Sequence, residues 1–112
     1  MKKIEATIRP ERLEQVRTAL AEAGITGMTA YEVSGRGRQR GIVLQWRVGE
    51  YRVEMLPKVR LEVVVLDEEV APAINAIVRA ARTGERGDGK IFVVPVEYAV
   101  RIRTGDEDES AI

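Results

Sequence analysis

Neither cysteine nor histidine occurs among these 112 residues. Their joint absence excludes disulfides, thiolate nucleophiles, imidazole bases and the usual zinc ligands, so enzymatic readings lose most of their tools. Aromatics are scarce at 4%, and no segment carries the paired aromatics on which an RNA-recognition sheet stacks bases. Charge of either sign is not in excess, with 18 Lys and Arg against 18 Asp and Glu. Bulk electrostatics therefore gives no pull toward nucleic acid or an anionic membrane. No run approaches the roughly 20 apolar residues of a membrane helix. Met1-Lys2-Lys3 leads into a strand pattern rather than a secretory segment. The expectation is a cytoplasmic protein with no direct nucleic-acid partner and no membrane insertion.

With 45% hydrophobic and 32% charged residues, the chain suits one compact domain over residues 1–112 with a real core. Charge is unevenly spread: Arg36, Arg38, Arg40, Arg47 and Arg52 crowd the middle, and Asp106 to Glu109 form an acidic tail. From Lys2 to Arg9, Ile4, Ala6 and Ile8 alternate with Lys3, Glu5 and Thr7, the pattern of a half-buried strand. Beyond Pro10, Leu13, Val16, Leu20 and Ala23 follow helical spacing, with Gly24 as the stop. Met28 to Ser34 has strand composition. A long loop then runs from about residue 37 to 55, past the ~12–15 residues at which structureless connections are usually functional.

Val59 to Leu66 reads as a strand, Asp67 as the cap of a second helix containing Val70, Ile74, Ile77, Val78 and Ala81, and Gly84 as its stop. Ile91 to Val96 and Tyr98 to Arg103 supply final strands, with Pro95 at an edge or irregular position. The order is the split β-α-β plan: an α+β, ferredoxin-like β-α-β-β-α-β sandwich with two helices on one face of an antiparallel sheet. Apolar residues on both sides of the Val59–Leu66 strand point to oligomerisation through the uncovered face.

The densest chemical signal is Thr83-Gly84-Glu85-Arg86-Gly87-Asp88-Gly89-Lys90, within a loop spanning about 82–90, together with the pair Arg101 and Arg103. Glycines permit positive φ and let successive N–H groups converge on an anion, and Lys90 adds a point charge. On a strand, Arg101 and Arg103 would project from one face toward phosphate oxygens. Gly84 to Lys90 satisfies the G-x-x-x-x-G-K part of a Walker A loop, but Ile91 stands where a magnesium-binding Ser or Thr belongs, and a helix enters the loop where a strand should. The competing local explanation is a glycine cap and turn followed by a solvated strand face.

Several separated stretches match one family in order. They are Met1-Lys2-Lys3-Ile4-Glu5-Ala6, Gly24-Ile25-Thr26-Gly27-Met28-Thr29, Gly37-Arg38-Gln39, Leu56-Pro57-Lys58-Val59, Ala80-Ala81-Arg82-Thr83-Gly84, Gly87-Asp88-Gly89-Lys90-Ile91-Phe92-Val93 and Arg101-Ile102-Arg103-Thr104-Gly105. Over essentially its whole length the chain resembles the PII signal-transduction proteins, nitrogen regulators of the GlnB and GlnK type. That resemblance implies a homotrimer with ATP or ADP in each cleft between subunits and a projecting T-loop that contacts a target enzyme, transcription regulator or ammonium transporter.

By the same resemblance, Thr29 and Val64 would face adenine. Gly37, Arg38, Gly87, Asp88, Gly89, Lys90, Arg101 and Arg103 would complete the nucleotide site. Gln39 would hold Mg²⁺ on the ATP phosphates and, with Lys58 and Arg9, 2-oxoglutarate. Outside the resemblance, Lys58 and Gln39 read as ordinary surface residues. The implied role is a non-catalytic sensor, with which weak ATP turnover would be compatible. The alternatives are a PII-like adenine-nucleotide sensor with another small anion, such as bicarbonate, and a slow phosphohydrolase.

The largest departure is in the T-loop, where Ile42, Val43, Leu44, Trp46 and Val48 replace the polar residues of common members. Such a stretch suits a partner site or an extra strand, and Trp46, as a typical hot-spot residue, favours the partner. Arg47 matches the residue that enters a transporter pore in some members, and Tyr51 the position uridylylated in others.

Overall fold

A computed structural model describes residues 1–36, 43–46, 49–52 and 55–112, the segments 43–46 and 49–52 by their backbone alone. Strand β1 (Lys2–Ile8) lies inside a four-stranded antiparallel sheet, between β5 (Leu56–Val65) and β6 (Lys90–Pro95), and β2 (Thr29–Gly35) pairs with the far edge of β5. The order β2-β5-β1-β6, with α1 (Leu13–Glu22) and α2 (Val70–Ala81) as crossovers, is the ferredoxin-like plan expected.

Alternation decides the two faces. Ile4, Ala6 and Ile8 of β1 and Val59, Leu61, Val63 and Val65 of β5 are all buried, facing Val16, Ala19 and Leu20 of α1 and Ala73, Ala76, Ile77 and Ala81 of α2. The alanines let the helices approach the sheet closely. Opposite, the period-two partners Lys3, Glu5 and Thr7 and Lys58, Arg60, Glu62 and Val64 form a mixed face bearing no helix. There Glu5 accepts from Lys3 at 2.8 Å and Arg60 at 2.6 Å, and the Tyr31 hydroxyl donates to Glu62 at 3.0 Å.

Helix α1 stops as its sequence dictates. Gly24 takes φ +83°, its N–H reaches Ala21 O, and Ile25 N reaches Leu20 O, both at 2.9 Å. Paired bonds of this kind, with buried Ile25 closing the end, satisfy carbonyls that the helix leaves open.

Three expectations are corrected. Asp67 does not cap α2: it opens a 3₁₀ turn (Asp67–Glu69), and its carboxylate binds the N-terminal ammonium at 2.9 Å, while Glu69 reaches back to Leu66 N–H. Gly84 does not stop α2, which ends at Ala81, with Arg82 already extended. Nor is Tyr98 to Arg103 a strand. Beyond β6 the chain makes one isolated bridge, Val100 to Glu107, and reverses between them: Gly105 N bonds Arg101 O at 2.8 Å and Arg101 N bonds Asp106 O at 2.9 Å. Gly105, at φ +74°, permits the reversal.

Within the long loop, β3 (Val43–Trp46) and β4 (Gly49–Arg52) pair as a two-stranded antiparallel sheet. The extra-strand reading therefore holds for the backbone carrying Trp46 and Tyr51. Gly37, Arg38, Gln39 and Arg47 lie outside the described residues.

Candidate functional site

The glycine-rich loop between α2 and β6 is organised around one carboxylate. Asp88 Oδ2 accepts from the Thr83 and Gly84 amides, each at 2.9 Å, and Oδ1 accepts from the Thr83 hydroxyl. Arg9, just beyond β1, donates from Nε to Asp88 Oδ1 at 3.1 Å and from Nη2 to Arg86 O at 2.7 Å. From near the start of β5, Lys58 Nζ donates to Gly87 O at 2.7 Å. Asp88 thus shapes the turn.

Burial by itself would raise the Asp88 pKa, but the Thr83 hydroxyl, the Thr83 and Gly84 amides and Arg9 together hold it well below the usual carboxylate range. Lys58 moves the other way for an ammonium: burial lowers its pKa, and neighbouring Arg9 adds to the effect.

Gly84, Gly87 and Gly89 have φ of +91°, +101° and +102°. At Gly89 the requirement is absolute, because a Cβ would sit 1.7 Å from Thr7 O. This contact presses the loop against the end of β1 and starts the Lys90 to Thr7 register of the β6 pairing. Around it opens a cleft of about 550 Å³ whose lining includes Gly35, Arg36, Lys58, Gly87 and Lys90. An exposed Lys90 and a glycine-rich backbone with few side chains in the way are features a phosphate cradle needs, and the residues fit one.

Thr29 and Val64 line a different cleft, of about 790 Å³, with Gly27, Glu62, Tyr98 and Val100. Thr29 is paired with Glu62, whereas Gly35 is paired with Leu56 at the other end of the same ribbon. Val100 also borders the Thr29 cleft, immediately before Arg101. The expected adenine contacts and the C-terminal arginines thus belong to one end of the sheet, and Gly87 to Lys90 to the other. In one chain the expected nucleotide residues are not brought together.

Sequence reasoning missed the Thr83, Asp88 and Arg9 network and the Glu62 lining beside Thr29. Glu62 was detectable, since it shares the β5 face with Val64 by period two. Among the described residues no cluster of three or more acidic groups is placed to hold a metal, and no helix is long and apolar enough to cross a membrane.

Comparison with known proteins agrees with this architecture. The family model described as nitrogen regulatory protein P-II matches residues 1–106. Nitrogen regulatory protein P-II of Pasteurella multocida (strain Pm70) is 56% identical over 112 residues, covering 100% of both chains. The Klebsiella oxytoca protein of the same name and nitrogen regulatory protein P-II 1 of Escherichia coli (strain K12) are each 55% identical, again over the full length of both chains. These relatives carry regulatory names, and the expectation of slow ATP turnover finds no support among them. With its split β-α-β sheet, its glycine loop and full-length similarity of this degree, the chain belongs to the nitrogen regulatory protein P-II family.

Proposed function

We propose that this protein is a non-catalytic sensor that binds ATP or ADP between subunits of a homotrimer. With Mg-ATP it binds 2-oxoglutarate and passes that state to target proteins through residues 37–55. The observation that carries the reading is the separation of the two clefts. The phosphate-type loop lines one cleft and Thr29, Glu62 and Val64 another, and in the proposed sensor they are two halves of one site, joined when a second copy of the chain packs against the first.

In this reading the amides and Lys90 of the loop hold the phosphates, Arg101 and Arg103 reach them from a neighbouring subunit, and Thr29 and Val64 face the base. Gly37 and Arg38 belong to the same site at the loop base. Mg²⁺ would supply a bridge between phosphates and a second anion, with Gln39 as its neutral oxygen ligand and Lys58 as the carboxylate partner. Lys58 suits that role because its ammonium is partly buried beside the loop, where a carboxylate gains more than in open water. Arg47, Trp46 and Tyr51 are the T-loop residues that a target enzyme, transcription regulator or transporter would meet.

Signalling then requires only differential binding. A ligand shifts the T-loop by the difference in its affinity for the two loop states, and about 1–3 kcal/mol of coupling changes partner affinity 5–150-fold. The test is calorimetric titration of ATP and ADP with Mg²⁺, each with and without 2-oxoglutarate. 2-Oxoglutarate binding that appears with Mg-ATP and vanishes with ADP supports the reading. Nucleotide binding indifferent to 2-oxoglutarate would replace it with an adenylate sensor for another anion, and no nucleotide binding would reject both.

A further inference from the structure

Within the T-loop, the register of the hairpin sorts its residues by chemistry. Leu44 pairs with Tyr51 and Trp46 with Gly49, while Val43 pairs with Arg52 and Gln45 with Glu50. Directly opposed residues share a face, and alternate residues along a strand change face. Leu44, Trp46 and Tyr51 therefore fall on one face of the ribbon, and Gln45, Glu50 and Arg52, with Val43, on the other. A slip of one residue would mix the two sets. The hairpin is a sheet of its own, with no third strand among the described residues, so each strand has an outer edge open. At four residues a side it is marginal by itself, and packing of its apolar face on a partner would stabilise it. Charge narrows what that partner is. Between residues 37 and 55, Arg38, Arg40, Arg47 and Arg52 stand against Glu50 and Glu54, an excess of cations in a chain that balances 18 against 18.

We propose that the Leu44, Trp46 and Tyr51 face of this hairpin docks into an apolar groove, rimmed by acidic side chains, on a target protein. The inference rests on the part the T-loop takes in the proposed function and specifies the chemistry of its target. Two aromatics beside a leucine have the composition of a binding hot spot, and an acidic rim answers the arginines around them. An anionic bilayer would also suit aromatics and arginines. Hydrocarbon, however, would leave the amides and carbonyls of the open edges unpaired, whereas a protein can pair them with a further strand. The edges thus decide for a protein.

The test uses the full-length protein, in which Trp46 is the sole tryptophan. Extract from the cells the chain comes from is passed over immobilised wild type, Trp46→Ser and Gln45→Ser. A protein held by the first and third but not by the second is purified and titrated calorimetrically against each, and against wild type carrying 5-fluorotryptophan. The expected affinity is about thirtyfold lower for Trp46→Ser and within about threefold of wild type for Gln45→Ser. Binding should weaken with added salt and shift the single fluorine resonance. Equal affinities for the two variants would overturn the proposal, as would indifference to salt or an unmoved fluorine resonance. So would an extract that yields no such protein, and sedimentation of wild type but not Trp46→Ser with phosphatidylglycerol vesicles would then make the face a lipid site. Coincident thermal melts separate a lost contact from unfolding, and Leu44→Ser, on the same face, repeats the comparison should Trp46→Ser melt early. Titration of the wild type with Mg-ATP keeps the two readings apart. A target held through Trp46 by a protein that binds no nucleotide would end the sensor reading and leave this one standing, whereas nucleotide binding without a Trp46-dependent target would do the reverse.

Discussion

Lys58 and Val64 stand on the same strand and the same sheet face, yet six residues of β5 separate them by about 20 Å. Lys58 belongs to the cleft of the glycine loop and Val64 to that of Thr29. Lys58, expected at 2-oxoglutarate, and Val64, expected at the adenine, thus stand toward opposite ends of β5. On the proposed reading, assembly is a condition of binding rather than an addition to it.

Ile102 is fully exposed at the C-terminal reversal, with Val100 and Tyr98 about half exposed beside it. An apolar tip of this kind fits a surface that a second copy covers. Ile102→Asp should leave the thermal midpoint of the isolated fold unchanged, since no core residue touches it, and shift the light-scattering mass toward smaller species. An unchanged mass would place the contact elsewhere.

Gly89 and Gly27 make opposite predictions. Gly89→Ala would drive a methyl group into Thr7 O at a φ of +102°, so the end of β1 or the loop must move, at a cost of about 2 kcal/mol or more. Around Gly27 nothing lies within 4 Å of a new Cβ and no positive φ is needed, so Gly27→Ala should change stability by less than about 0.5 kcal/mol. Denaturant unfolding of the two variants checks the contrast.

Asp88 makes part of the stability depend on pH. Its folded pKa lies below the ordinary value of 3.8, so the unfolded chain takes up its proton first as acid is added. The stabilisation is complete above about pH 4 and fades as pH falls toward the folded value. Asp88→Asn should therefore melt several degrees below the wild type at pH 7, and the gap should narrow steadily in melts taken down to pH 2.5. A constant gap would mean that the carboxylate charge is not what holds Thr83, Gly84 and Arg9.

Much of the fold was legible because local periodicity encodes which face is buried. Ile4, Ala6 and Ile8 announce β1, and Leu20 with Gly24 announces the end of α1. What stayed hidden depends on partners distant in sequence. Asp67 has the composition of a cap but meets the N-terminus, 66 residues away. Arg9 looks ordinary until the sheet brings it to Asp88, 79 residues on. Tyr98 to Arg103 alternates like a strand, yet it finds no ladder partner and folds back on Asp106 and Glu107. The glycine loop was recognisable, but the division of the expected site between two ends follows only from the register of β5.

Complementation tests the divided site most directly. Lys90→Ala removes a cation from the loop half and Arg103→Ala one from the C-terminal half, so each variant alone should bind ATP weakly. Refolded together, random assembly gives about a quarter of sites a wild-type loop facing a wild-type C-terminal arm, and calorimetry should recover that fraction at wild-type affinity. A mixture that binds no better than either variant alone would contradict a site shared between copies of this chain.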